Sequence, residues 1–83
     1  MTPVMTFSRA LECLKNGQRV QRMGWNGADM YVELQTPTEH SKMTLPYIYM
    51  KTADGQLVPW LASQTDILSE DWREYVEDPS PTS

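Results

Sequence analysis

The stretch Tyr47-Ile48-Tyr49-Met50-Lys51-Thr52-Ala53-Asp54-Gly55-Gln56-Leu57-Val58-Pro59 decides the fold. Tyr47 to Thr52 is rich in aromatic and β-compatible side chains and reads as a strand. Ala53 to Gln56 follows with Asp54-Gly55 at its centre, the residue pair that best tolerates the positive φ of a tight hairpin turn. Leu57-Val58 then returns as a second strand. Pro59, which has no N–H to donate, limits how far that strand can run inside a sheet. A hairpin this well marked commits the chain to antiparallel pairing.

Upstream, Asp29 to Thr36 alternates, with Met30, Val32 and Leu34 on one face and Tyr31, Glu33 and Gln35 on the other. That period is the mark of a half-buried strand. Gln18 to Met23, with polar residues around Val20, reads as a shorter strand, and Gly24-Trp25-Asn26-Gly27 as a glycine-bracketed turn. Thr6 to Gly17 is an amphipathic helix: Thr6 suits an N-cap, and Phe7, Ala10, Leu11 and Leu14 share one face. Asn16-Gly17 supplies a left-handed stop. Pro37 to Pro46 is a polar surface loop. Downstream, Ser63 to Asp71 suggests a single helical turn begun by Ser63 or Thr65, and Trp72 to Val76 alternates as a closing strand. The expected fold is α+β, one N-terminal helix packed on a small antiparallel sheet of about four to five strands. Residues 1–76 form one domain and 77–83, with Pro79 and Pro81 among serine and threonine, a flexible tail.

The chain has 83 residues. A domain of that size buries only about 60% of the surface its unfolded form exposes. Disulfides, metals or self-association usually make up the deficit. Cys13 has no internal partner and His40 is the sole histidine, so neither a disulfide nor a zinc site is expected, and no cofactor or metal is assigned. Cys13 lies beside the apolar stripe as a small core residue, and His40 belongs to the surface loop. Oligomerisation is the remaining route, and it would let pockets form between subunits.

The start of the chain lacks the charged n-region and apolar stretch of a signal peptide, and no window approaches the roughly 20 apolar residues of a membrane span. A cytoplasmic address is expected, without membrane association. Net charge is −4 and unevenly placed. Arg9, Lys15, Arg19 and Arg22 stand against Glu12 before Met23, while Asp66 to Asp78 is acidic around Arg73. Dispersed cations on an acidic chain do not suit a DNA or RNA polymer, which needs several phosphates neutralised together. A solvated face explains the acidic end; docking of the basic end of one subunit on the acidic end of another is the sharper alternative.

Met50 to Asp66 is chemically crowded for its length, holding Lys51, Thr52, Trp60, Ser63, Gln64, Thr65 and Asp66. Such an inventory suits a pocket that stacks a flat group and hydrogen-bonds a polar one. It contains no evident nucleophile–base pair.

These residues carry a resemblance. After a helix ending in Asn-Gly come Arg-x-Gly-Trp-Asn-Gly (Arg22 to Gly27), Met30-Tyr31 and Pro46-Tyr47-Ile48. Met-Lys-Thr-Ala-Asp-Gly follows, then Val-Pro-Trp-Leu-Ala-Ser-Gln-Thr-Asp-Ile-Leu before Glu-Asp-Trp. From Thr6 to Val76 the chain resembles the second type of Thoeris anti-defence protein, a small phage and prophage family. The resemblance implies a signal sponge for the cyclic ADP-ribose isomer of the Thoeris system, held without turnover so that the effector stays silent. Some relatives also sequester cyclic di- or oligonucleotides at a different site. It further implies a homotetramer with pockets between subunits, acting in the cytoplasm of the infected bacterial host.

The residues supply matching chemistry. Trp25 and Trp60 lie where the chain is irregular and suit an adenine, whose stacking on an aromatic ring contributes about 1–3 kcal/mol. Asn26, Gln64 and Asp66 suit ribose hydroxyls. Gly27, Thr52, Ser63 and Thr65 suit a diphosphate through N–H and hydroxyl groups, with Lys51 or Arg22 as the cation. Met30 and Met50 flank these segments. Each has a plainer alternative: Trp60 as a core plug, Trp25 as a subunit contact, Trp72 as core or interface, and Lys51 as a solvated charge. For Ser63, Thr65 and Asp66 that alternative is a helix cap, and for the methionines adaptable packing.

Two other function classes compete with sequestration. A protein-interaction inhibitor would dock on a host defence protein through Trp25 and the acidic C-terminal stretch. A hydrolase of the messenger would draw on Asp66, Glu70 and Asp71 for acid–base chemistry.

Overall fold

The computed structural model describes residues 4–25, 27 and 29–76. The elements are α1 (Phe7–Lys15), β1 (Val20–Arg22), β2 (Tyr31–Gln35), β3 (Tyr47–Lys51), β4 (Leu57–Pro59), α2 (Gln64–Leu68) and β5 (Trp72–Glu74). The strands form a five-stranded sheet in the order β4-β3-β2-β1-β5. Every pairing is antiparallel. This is the expected α+β arrangement, with the N-terminal helix on one face of the sheet. The proposed tail, 77–83, lies outside the described residues, as does Asn26.

Local chemistry accounts for the helix ends. Thr6 caps α1, its Oγ1 accepting the N–H of Arg9 at 3.5 Å. Gly17 stops the helix with φ +87°, a backbone conformation that costs glycine little. Ser63 caps α2 in a reciprocal capping box with Asp66: Ser63 Oγ accepts the Asp66 N–H at 3.0 Å, and Asp66 Oδ2 accepts the Ser63 N–H at 3.4 Å.

The hairpin turns where the Asp-Gly pair requires. Gly55 N donates to Thr52 O at 3.0 Å and Gly55 has φ +89°, the pattern of a turn closed by a left-handed residue. Thr52 Oγ1 donates to Asp54 and accepts the Gln56 N–H at 3.0 Å, so its hydroxyl is spent on the turn. As expected, the strand runs no further than Pro59, which is the last residue of β4 and stands opposite Tyr49. An edge strand has a side with no ladder to donate to, so the missing N–H costs nothing there.

The core lies between α1 and the sheet. Ala10, Leu14, Val20, Val32 and Trp72 are fully buried, with Met5, Phe7, Leu11, Cys13, Trp25, Ile48, Met50 and Trp60 packed around them. Residues directly opposite in register share a face, so Val20, Val32 and Met50 all point toward α1. Trp72 is core, at 0% exposure. Met5 brackets it with reciprocal backbone bonds to Trp72 of 2.7 and 3.2 Å. The opposition between basic and acidic ends is met inside one chain: Arg22 pairs with Asp66 and Asp71, each at 2.9 Å.

Candidate functional site

Trp72 is the hub around which the candidate aromatics are arranged. Trp25 meets it edge-on, ring centroids 5.4 Å apart at 78°, and Trp60 meets it at 5.9 Å and 81°. Phe7 fills the remaining side, 5.3 Å from Trp72 and 6.1 Å from Trp60. Edge-to-face packing matches the positive ring edge to the negative ring face. Trp25 and Trp60 both stay half-buried, so neither is a sealed core plug.

Polar contacts fix the Trp25 turn. The Trp25 indole N–H points at Asp66 Oδ1 (3.4 Å), and its backbone N–H donates to Arg22 O (3.2 Å). Asp66 Oδ1 also accepts Arg22 Nη1, while Arg22 Nε donates to Asp71 Oδ1, both at 2.9 Å. The other oxygen of Asp71 accepts the Gly24 N–H at 2.9 Å. Trp72 Nε1 donates to the Asp66 carbonyl at 2.9 Å.

The electrostatics follow the bonding. Burial pushes the Asp66 carboxyl up, but hydrogen bonds from Arg22, Ser63 and Trp25 outweigh it and hold it below the ordinary range. The Arg22 hydrogen bond dominates at Asp71 and lowers it as well. The Arg22 guanidinium is raised in turn, chiefly by Asp71. Asp66 is therefore an ionised helix cap and ion-pair partner, and Arg22 is a cation already engaged.

The other candidates divide between the faces of the sheet. Gly27 is pressed against the hairpin, where a Cβ would lie 2.9 Å from Ala53 Cβ and 3.0 Å from Met30 Cγ. This contact brings the Trp25 loop, Met30 and the residue after Thr52 together. Met50 lies on the helix side opposite Val32, whereas Lys51 lies on the open face opposite Tyr31 and Leu57. Its Nζ donates to Asp29 O at 3.3 Å and sits 5.8 Å from the Tyr31 ring. Trp60 is hydrogen-bonded through its N–H to Ile48 O (3.0 Å), on the helix side. Within one chain, Lys51 does not share a face with Trp60. Ser63, Gln64 and Thr65 are exposed at the start of α2, close to the Trp25–Asp66 contact.

Sequence reasoning passed over two features. Asp71 and Arg22 act together as a clamp, and Tyr47 and Tyr49, with Gln35, Leu57, Val58 and Pro59, line a groove of about 170 Å³ beside β4. The aromatic content of Tyr47 to Thr52 marks a strand; that Tyr47 and Tyr49 converge with β4 residues depends on the hairpin register. The open face also carries a polar network. Tyr49 Oη donates to Glu33 Oε1 at 2.6 Å, Arg19 Nε donates to the same oxygen at 3.1 Å, and the Arg19 guanidinium stacks 4.7 Å from the Tyr31 ring. Among the described residues no group of His, Cys, Asp and Glu could hold a metal ion, and no helix is long and apolar enough to cross a membrane.

Comparison with known proteins identifies a family. A model of the Thoeris anti-defense 2-like domain matches residues 5–75, which includes every described element. The chain is also similar to Thoeris anti-defense 2 of Bacillus phage SP01, 36% identical over 85 residues, covering 87% of this chain and 96% of the relative. The chain belongs to the Thoeris anti-defense 2-like family.

Proposed function

We propose that the protein binds and sequesters a cyclic nucleotide immune signal without cleaving it, and so blocks activation of the effector. Family membership gives the chain an anti-defence role. The Thoeris cyclic ADP-ribose isomer is the ligand we assign, and cyclic di- or oligonucleotides are further candidates. The observation that carries the reading is the placement of Trp25. Its ring is half-buried, edge-on to Trp72 and anchored at its N–H by Asp66, immediately beside the capped start of α2.

A fixed aromatic ring beside exposed hydroxyl and amide groups suits a flat base joined to ribose and phosphate. Rigidity matters because a sponge acts stoichiometrically and must bind tightly; nanomolar affinity corresponds to about −12 kcal/mol. A surface that needs little ordering on binding loses less of that free energy. In a single chain these groups form an open surface, so we assign the pocket to a junction between subunits of a homotetramer. Leu61 and Leu68, 92% and 76% exposed beside the site, supply apolar area for such a contact.

The state of the carboxylates weighs against the hydrolase alternative. A general acid works best with a pKa near the operating pH. Asp66 and Asp71 are pushed the other way by Arg22.

Isothermal calorimetry and native mass spectrometry with the cyclic ADP-ribose isomer test the proposal. Expected are tight binding, a tetrameric mass carrying ligand, and intact ligand on recovery after heating. No binding at micromolar protein would refute that ligand, and recovery of a cleaved product would refute sequestration without turnover. Trp60→Ala should abolish ligand capture while sparing any docking on a host protein.

A further inference from the structure

We propose that Arg22 is the positioning residue of the candidate site: one guanidinium holds the Trp25 turn and the start of α2 in register with each other. This rests on the reading of Trp25 and the Ser63–Asp66 segment as the ligand-contacting surface. Each carboxylate that Arg22 grips has a second duty toward that surface. Asp66 Oδ1 receives Arg22 Nη1 at 2.9 Å and faces the Trp25 indole N–H at 3.4 Å, while its Oδ2 accepts the Ser63 N–H that begins α2. Asp71 Oδ1 receives Arg22 Nε at 2.9 Å, while its Oδ2 accepts the Gly24 N–H, the residue before Trp25. The Arg22 carbonyl accepts the Trp25 backbone N–H, and the Asp71 carbonyl accepts that of Met23.

The clamp is sheltered and crowded. The Arg22 and Asp66 side chains are 16% and 14% exposed. A Cβ on Gly24 would lie 3.0 Å from Asp71 Oδ2 and 3.3 Å from Arg22 Nη2, so the turn passes close over the ion pair and a side chain there would press on it. The planar guanidinium holds its donors in fixed, separate directions, and here Nε meets one carboxylate and Nη1 the other. A lysine at this position concentrates the charge on one nitrogen and loses the two-way geometry, so at least one carboxylate is held less firmly. The loosened carboxylate would then move, and with it either the indole of Trp25 or the cap of α2.

The test is made first on the unliganded protein, through indole N–H resonances in a ¹H–¹⁵N spectrum of wild type, Arg22→Lys and Asp71→Asn. Trp72 Nε1, bonded to the Asp66 carbonyl, reports whether the fold is intact. With Trp72 Nε1 still dispersed and protected from exchange, the Trp25 indole should shift and lose exchange protection in Arg22→Lys. A smaller change is expected in Asp71→Asn, which keeps the Arg22–Asp66 arm. Affinity for the cyclic ADP-ribose isomer should fall about tenfold in Arg22→Lys at unchanged stoichiometry, the effect of re-ordering one or two side chains on binding.

A Trp25 resonance unchanged in both variants would overturn the proposal. Should Arg22→Lys fail to fold, the milder Asp71→Asn decides by the same resonance. If wild type does not bind the isomer, the proposed function fails for that ligand, while the indole resonances still decide whether Arg22 positions Trp25.

Discussion

The indole of Trp25 stands edge-on to that of Trp72, ring centroids 5.4 Å apart, yet the two residues have opposite fates: Trp72 is fully buried and Trp25 half-exposed. One ring belongs to the fold, and the other borrows the fold for its orientation. Truncation separates the roles. Trp72→Ala removes the hub of the aromatic cluster and should cost roughly 3–5 kcal/mol, a large share of what a small domain has. Trp25→Ala forfeits partial packing and should cost about 1–2 kcal/mol. Thermal melts should place Trp72→Ala far below wild type, while Trp25→Ala stays folded at 25 °C without binding the cyclic ADP-ribose isomer. A folded Trp25→Ala that binds at wild-type affinity would remove this ring from the site.

Gly27 is required for close approach, since a Cβ there would meet Ala53 Cβ at 2.9 Å and Met30 at 3.0 Å. Gly27→Ala should push the Trp25 loop off the hairpin and destabilise by about 1–3 kcal/mol, the usual cost of overpacking. Because Ala53 Cβ is the nearest obstacle, adding Ala53→Gly should recover part of that loss. Denaturant midpoints of the single and double variants measure the coupling. Strict additivity would mean that the two segments do not press on one another.

The Arg22 clamp also predicts an acid response. Asp66 and Asp71 hold protons more weakly in the folded chain than at their ordinary pKa of about 3.9. Between the folded and unfolded values the unfolded chain binds more protons, so stability falls with falling pH. The contribution is complete above about pH 5 and disappears as pH drops below 4 through the depressed values. Asp71→Asn should lower stability at neutral pH and flatten its decline between about pH 5 and 3. Asp54 is also depressed, by Thr52, but it is fully exposed, so Asp54→Asn should leave the midpoint nearly unchanged. Urea titrations across that range check all of these; an unaltered acid slope in Asp71→Asn would contradict the assignment.

Elements with local causes could be read from the residues. Thr6 and Asn16-Gly17 bound α1, Asp54-Gly55 marks the hairpin, and Ser63 marks the start of α2, because each signal lies within a few residues of its effect. The pairing of β1 with β5 has no such signal. Both strands are short, and the residues that pair across them, such as Gln21 with Arg73, lie 52 positions apart. Arg22 was legible only as a cation, and its engagement by two carboxylates depends on tertiary placement. The separation of Lys51 from Trp60 has a similar origin. It depends on the hairpin register that sets Tyr49 opposite Pro59, which the turn geometry at Gly55 decides. Trp25 was conspicuous because a tryptophan between glycines has no periodic pattern to join.

Tyr49 provides a spectroscopic handle on the open face. Burial, then its hydrogen bond to Glu33 and that residue's charge, push its phenol up to about 12. An unfolded tyrosine ionises near 10, so between those values the unfolded chain has already lost a proton that the folded chain keeps. Stability should therefore fall as pH rises from about 10 to 12 and flatten beyond it. Absorbance at 295 nm should show a tyrosine step near pH 12 that disappears in Tyr49→Phe. In Glu33→Gln the step should move down without reaching 10, because burial remains. The alkaline slope of stability should vanish with Tyr49→Phe. If that variant unfolds along the wild-type profile, the Tyr49–Glu33 contact of 2.6 Å does not govern ionisation on this face.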